Sequence, residues 1–317
     1  MQTPEKQEDS LEVPSEIDSS KPKETNSTDT TTLLKSRSMP KVNRSYTFPY
    51  DLDKPDFKGN LPKELIEISG LTYNSKNNTL LAINDEAGRL YTLDATDFNL
   101  IEKKEFGNNG DYEGIEIVGD IVYVLKANGD ITPIDIKKPK VKKTIKTPLT
   151  TANDVEGLGF DPTTNELILA CKGTPALKKK HKLKNTKAFY AFDLDRKELN
   201  DYPKFTISDE QLEDFFKDYF DEDLSKKKRK KLKNRLLDFS PSAIAKHPMD
   251  ENFYILSSIG KVLLVCNSYG RIADVQFLND KKFSQPEGIC FAPDGTLYIS
   301  NEGRSMKGTV MRFRLIK

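Results

Sequence analysis

The chain has 317 residues, enough for one large domain or two ordinary ones, and its 50 lysines and arginines against 49 acids leave a net charge of +1. That balance excludes a global field steering the chain to nucleic acid or a membrane surface, and no apolar stretch approaches the ~20 residues of a membrane span. The cysteines Cys171, Cys266 and Cys290 each sit inside an apolar run, with no metal-type pairing, so they read as core thiols rather than a disulfide or zinc framework.

Residues 1–43 are Ser, Thr, Pro, Glu and Lys with almost nothing to bury, and are expected to be a disordered tether. Polar tethers of this kind follow the lipobox cysteine of bacterial lipoproteins. The expected location is therefore the cell envelope, with the signal removed; a cytoplasmic protein with a polar tail is the alternative.

From residue 44 onward a repeat sets the organisation. Ser69-Gly70-Leu71, Glu113-Gly114-Ile115, Glu156-Gly157-Leu158, Ser242-Ala243-Ile244 and Glu287-Gly288-Ile289 each open a strand, at intervals of 44, 43, 86 and 45 residues. About 43 residues is the length of a propeller blade of four short strands. In the first unit, "ISGLTYNSKNN", "TLLAIND", "RLYTLDA" and "LIEKKEF" alternate apolar and polar residues between Asn, Gly and Asp breaks. The second reads "EGIEIVGD", "IVYVLKANGD", "ITPIDIK" and "KKTIKT". The last, "EGICFAPDG", "TLYISNEG" and "GTVMRFRLI", has only three strands, and "NRSYTFPYD" (43–51) is expected to supply the fourth and close the ring.

The double interval holds one blade, "EGLGFDP" to "YPKFTIS", followed by a helical insertion over 208–237. There Ser208 and Gln211 form a capping-box pair, and Leu212, Phe215, Phe216, Tyr219 and Phe220 form an apolar stripe at 3,4 spacing. The fold class is thus an all-β, five-bladed β-propeller over 44–317 with one helical insertion; six blades is the alternative. The basic runs "KKKHKLK" (178–184) and "KKKRKK" (226–231) read as solvated faces, and no nucleic-acid partner is expected. "DYFDEDLSKKKR" lacks the central Gly and terminal Glu of an EF-hand loop.

In a propeller the first strand of each blade lines the central channel, so Ser69, Glu113, Glu156, Ser242 and Glu287 are expected to ring one mouth. Three facing carboxylates cannot all ionise without compensation. Either a divalent cation on Glu113, Glu156 and Glu287, with calcium suited best by oxygen-only ligands, or a cation such as Lys172 or Lys126 must balance them. Asn84, Asp85, Glu86, Asn301 and Glu302 follow second strands and should enrich the same mouth in oxygens. The glycines after most of these residues let backbones crowd near the axis.

"EISGLTY", "LLAINDE", "GDYEGIEIVGD", "DVEGLGFDP", "AFYAFDL", "PSAIAKHP", "QPEGICFAPDG" and "LYISNEG", in this order over about 60–317, resemble the SdiA-regulated (YjiK-like) β-propeller family. The resemblance implies the propeller fold, an envelope compartment and a candidate calcium mouth at Glu113, Glu156 and Glu287; it implies no substrate. The family looks like a relative of calcium-dependent propellers such as the gluconolactonase and esterase-like phytase groups.

Two functions follow. The first is a monomeric, tethered, calcium-containing binding module that takes a small molecule, glycan or protein at its mouth and meets the membrane only through a lipid anchor. The second is a calcium-dependent hydrolase of lactones or phosphoesters. His181 and His247 are poorly placed to act as its base, which leaves Asp85, Glu86 or Glu302. No GxSxG, Walker or dinucleotide pattern is present.

Overall fold

Strands that are apolar on both faces must be covered on both faces, and a closed wheel of small sheets does this without free edges at the centre. In the computed structural model, which describes residues 46–137, 143–177, 183–219 and 224–316, five antiparallel sheets stand around one axis. The first strand, β1 (Phe57–Asn60), belongs to the last blade. Blade one is the meander β2 (Ile68–Asn74), β3 (Thr79–Asn84), β4 (Arg89–Asp94) and β5 (Leu100–Glu105). Burial falls from β2 and β3, which are almost wholly covered, to β5, which is mostly exposed.

Blade two has β6 (Tyr112–Val118), β7 (Ile121–Lys126) and β8 (Ile131–Asp135). Its expected fourth strand, "KKTIKT", is reduced to a single bridge, Ile131 to Ile145. Blade three has β9 (Val155–Asp161), β10 (Glu166–Cys171) and β11 (Thr186–Asp193); its outer edge is split between β12 (Glu198–Leu199) and β13 (Phe205–Ser208), both paired to β11. Blade four is β14 (Pro241–Lys246), β15 (Phe253–Ser257), β16 (Val262–Cys266) and β17 (Ile272–Phe277). Blade five is β18 (Pro286–Phe291), β19 (Leu297–Asn301), β20 (Thr309–Phe313) and, as its outer strand, β1. The count is five, not six.

The closing strand corrects the sequence expectation. Residues 57–60, not 43–51, pair with β20, from Phe57 opposite Arg312 to Asn60 opposite Thr309. Gly59 lets β1 lie against Phe98, whose ring would be 2.7 Å from a Cβ there. "YTFPY" fails as an edge strand because its aromatic residues all need cover and Pro49 has no N–H. Its described residues, from Tyr46, instead pack on blades four and five at the end opposite the glutamates. The Tyr46 hydroxyl lies 2.5 Å from that of Tyr254 and donates to Asp250 at 2.9 Å. The Tyr50 hydroxyl meets His247 Nε2 at 2.8 Å and donates to the Gly295 carbonyl at 2.5 Å. His247, 2 % exposed, is thereby part of a structural latch.

The insertion forms α1 (Asp209–Tyr219) and α2 (Lys226–Leu237). The capping box is made as read: Ser208 Oγ accepts from Gln211 N at 3.2 Å, and Gln211 Oε1 accepts from Ser208 N at 2.8 Å. Leu212, Phe215 and Phe216 join Leu236, Phe239 and the outer faces of blades three and four in one core cluster. The Tyr219 side chain, Phe220, His181 and the 1–43 segment lie outside the described residues. All three cysteines are buried and free.

Candidate functional site at the glutamate mouth

One irregularity recurs in all five blades. Where the innermost two strands pair, the ladder runs Ile68–Asn84 then Gly70–Ile83, skipping Ser69. It likewise skips Glu113 between Tyr112–Lys126 and Gly114–Leu125. Glu156, Ser242 and Glu287 are passed over in the same way. Each is the extra residue of a β-bulge, a device that re-aims a side chain at the end of a strand. Five bulges at one end re-aim five side chains, four of which, Ser69, Glu113, Glu156 and Glu287, face the channel. The following glycine matters for a different reason: a Cβ on Gly114 would stand 2.7 Å from Leu158 of the next blade, and one on Gly288 would stand 2.8 Å from Leu71.

Ser69, Glu113, Glu156 and Glu287 line one axial cavity of about 10 Å3, room for a single water or ion. Burial, then the charge of Glu156, pushes Glu113 up to about 9, and Glu113 shares a hydrogen bond with Asp111. Burial and Glu156 push Glu287 up to about 8. Glu156 is also raised, chiefly by burial, although Lys172 Nζ donates to its Oε1. Burial pulls Lys172 down, but its bond to Glu156 more than offsets this and its pKa is raised. Lys172 is therefore the cation of the ring. Lys126, the other expected candidate, instead lies with Nζ 4.7 Å from the centroid of the Tyr112 ring.

The expected ligand residues divide. The Ser242 hydroxyl staples blade four to blade five by donating to the Pro286 carbonyl at 2.8 Å. The Ser69 hydroxyl, both amide atoms of Asn301 (2 % exposed), and Asp85 Oδ1 are buried with no hydrogen-bond partner. Asp85 is pushed up to about 6 by burial and by Glu67 and Glu86. Glu302 is raised, first by burial, and accepts from Gln285, whose other amide atom accepts from Arg304. Glu86 reaches the same rim: its carbonyl accepts from Gly110 N at 2.9 Å. Among the described residues no three acids, histidines or cysteines approach closely enough to form a ready-made metal cluster. An ion here would thus rely on Glu113 and Glu287, the two carboxylates Lys172 does not hold, and on Ser69, whose hydroxyl lacks a partner.

Sequence reasoning missed Asp111, Gln285 and Lys187. Lys187 donates to the Lys172 carbonyl at 2.6 Å. Its signal was available, as a charge at the mouth end of a third strand otherwise reading "AFYAF".

The SdiA-regulated family profile matches residues 52–305. Among curated proteins no match is found. Of solved structures, Myxococcus xanthus glutaminyl cyclase is similar at 11% identity and a TM-score of 0.54, covering 83% of this chain and 95% of that one. A structural-genomics protein from Bacteroides thetaiotaomicron aligns at 14% identity and a TM-score of 0.46, over 79% of this chain and 56% of the other. At such identities the likeness is one of fold.

Proposed function

Taking as premise that this chain belongs to the SdiA-regulated propeller family, we propose that its glutamate mouth is a cation-binding site, with calcium on the axis, on a module that recognises a small ligand beside it. The observation that carries this reading is the fivefold bulge, which aims Glu113, Glu156 and Glu287 into one ion-sized cavity with a single lysine among them. Two buried carboxylates then keep protons near neutral pH, the arrangement of a site awaiting a cation. Calcium, when bound, supplies a fixed positive centre that can hold a carboxylate or carbonyl oxygen. Glu113 and Glu287 would hold it, Ser69 would add an oxygen, and Lys172 keeps Glu156 in place.

The envelope location belongs to the same proposal and rests on the composition of 1–43. No helix among the described residues is long and apolar enough to cross a membrane.

The test is a melting curve of chelator-treated protein with and without calcium. At a calcium concentration ~100 times Kd the gain is ~2.7 kcal/mol, or about 5 °C for a domain of this size. The Glu113→Gln/Glu287→Gln double variant should lose the shift, whereas neutralising Lys226, Lys227 and Lys228 on α2 should leave it. An unaltered shift in the double variant would assign the ion elsewhere.

Asp85 supports a second reading, hydrolysis of lactones or phosphoesters. With a raised pKa and a buried, unpartnered Oδ1 at the rim, it has the character of a general base. Turnover of nitrophenyl esters, nitrophenyl phosphate or γ-lactones that Asp85→Asn abolishes would establish it; no turnover with calcium present would leave the binding reading alone.

A further inference from the structure

A larger cavity opens at the same mouth beside the axial ring. It holds about 440 Å3, within the ~300–1,000 Å3 of small-molecule sites. Blades three and four and the end of the helical insertion build it. Lys187 stands on its wall, and the carbonyl that fixes the Lys187 ammonium belongs to Lys172, the residue that holds Glu156. Two carboxylates, Asp209 at the start of α1 and Asp238 just after α2, also line it. Pro175 and Ile259 give it apolar surface, and Ile259 is 58% exposed, an apolar side chain left standing at the rim.

The lining selects by charge. A simple anion would gain Lys187 but meet two carboxylates, while a simple amine would gain the carboxylates but meet Lys187. A molecule carrying both charges satisfies all three, and a short apolar side chain would cover Ile259. We propose that this chamber binds a small zwitterion of the α-amino-acid or dipeptide class, with its carboxylate at Lys187, its ammonium at Asp209 and Asp238, and its side chain against Ile259. This names the ligand of the binding module and rests on the glutamate mouth being the ligand-facing end. It does not need the axial ion, since none of the three ring glutamates lines the chamber. The helical insertion gains a purpose: it brings Asp209, Asp238 and Phe239 to a mouth that the blades alone would leave open.

The experiment is calorimetric titration of the full chain with L-leucine, L-glutamine and glycyl-L-leucine, beside 4-methylpentanoate, which lacks the amine, and 3-methylbutylamine, which lacks the carboxylate. At least one zwitterion is expected to bind saturably, and each single-charge analogue about threefold more weakly or worse, since it forgoes one of the two opposite-charge contacts. Lys187→Met should weaken the zwitterion about tenfold and, separately, the exposed Asp238→Asn about threefold, while Lys58→Gln on the remote outer strand β1 should leave it unchanged. Failure of every zwitterion to bind at ~10 mM, a Kd range of negligible affinity, would overturn the proposal. So would equal binding of a single-charge analogue, or wild-type affinity in folded Lys187→Met. Loss of the calcium response with zwitterion binding intact would remove only the axial site; the converse would remove only this chamber.

Discussion

A carboxylic acid carried out of water keeps its proton until something positive arrives. Glu113 and Glu287, at about 9 and about 8, are in that position. Their folded pKa values lie above the ordinary 4.5, so the stability they contribute is complete below about pH 4.5 and is lost as pH rises to about 9. Calcium-free protein should therefore melt at falling temperature across this window, and Glu113→Gln should flatten the slope; a flat wild-type profile would contradict the burial assigned to the ring. Calcium affinity should rise over the same range, because binding must expel those protons. Lys172→Met acts in both directions. It leaves Glu156, whose side chain is 12% exposed, without its cation, at a cost of about 2–3 kcal/mol in denaturant unfolding. It also frees a third carboxylate, so the variant should bind calcium more tightly than the wild type.

At the level of elements, the bulge and the cap do different work. The bulges are a cost to the ladder that returns as four side chains aimed at one axis and, in Ser242, a staple between blades four and five. Gly288→Ala should push first on Ser300 Oγ in the same blade and then on Leu71, 2.8 Å away in the next, and destabilise by about 1–3 kcal/mol; a neutral effect would mean the hub is looser than described. The Ser208–Gln211 box ties the last strand of blade three to α1. Ser208→Ala should cost about 1 kcal/mol, and in the zwitterion titration it should weaken binding by loosening Asp209. Both capping residues were legible in the sequence because a capping box is a local pattern. The closing strand was not. "FKGN" carries little apolar signal, and only the nearness of Phe98 explains its glycine, whereas "SYTFPY" imitates a strand while its aromatics serve the latch at Tyr254 and His247.

For the whole molecule, the period of about 43 residues exposed the wheel, since five nearly equal sectors must repeat the residues that meet at their hub. The hub glutamates were legible for that reason, and so was the insertion, as the part of the double interval that alternates like a helix. The partners that individual charged side chains choose do not follow from the period. Lys187 serves the mouth from a third strand, Lys126 turns aside to Tyr112, and Asp161 is shared by Lys204 at 3.0 Å and Lys246 at 2.6 Å. Burial works against the charge of Asp161, yet those two lysines hold it down to about 2. Because Lys246 comes from blade four, the pair locks blades three and four, and Asp161→Asn should cost about 3 kcal/mol or more in unfolding free energy. The decisive measurement is an anomalous difference map from crystals grown with calcium and then with manganese. A single peak on the axis, flanked by Glu113 and Glu287 and absent from the Glu113→Gln/Glu287→Gln variant, is the expected result. A mouth without a peak at millimolar ion, or a peak bound away from the bulged glutamates, would contradict it.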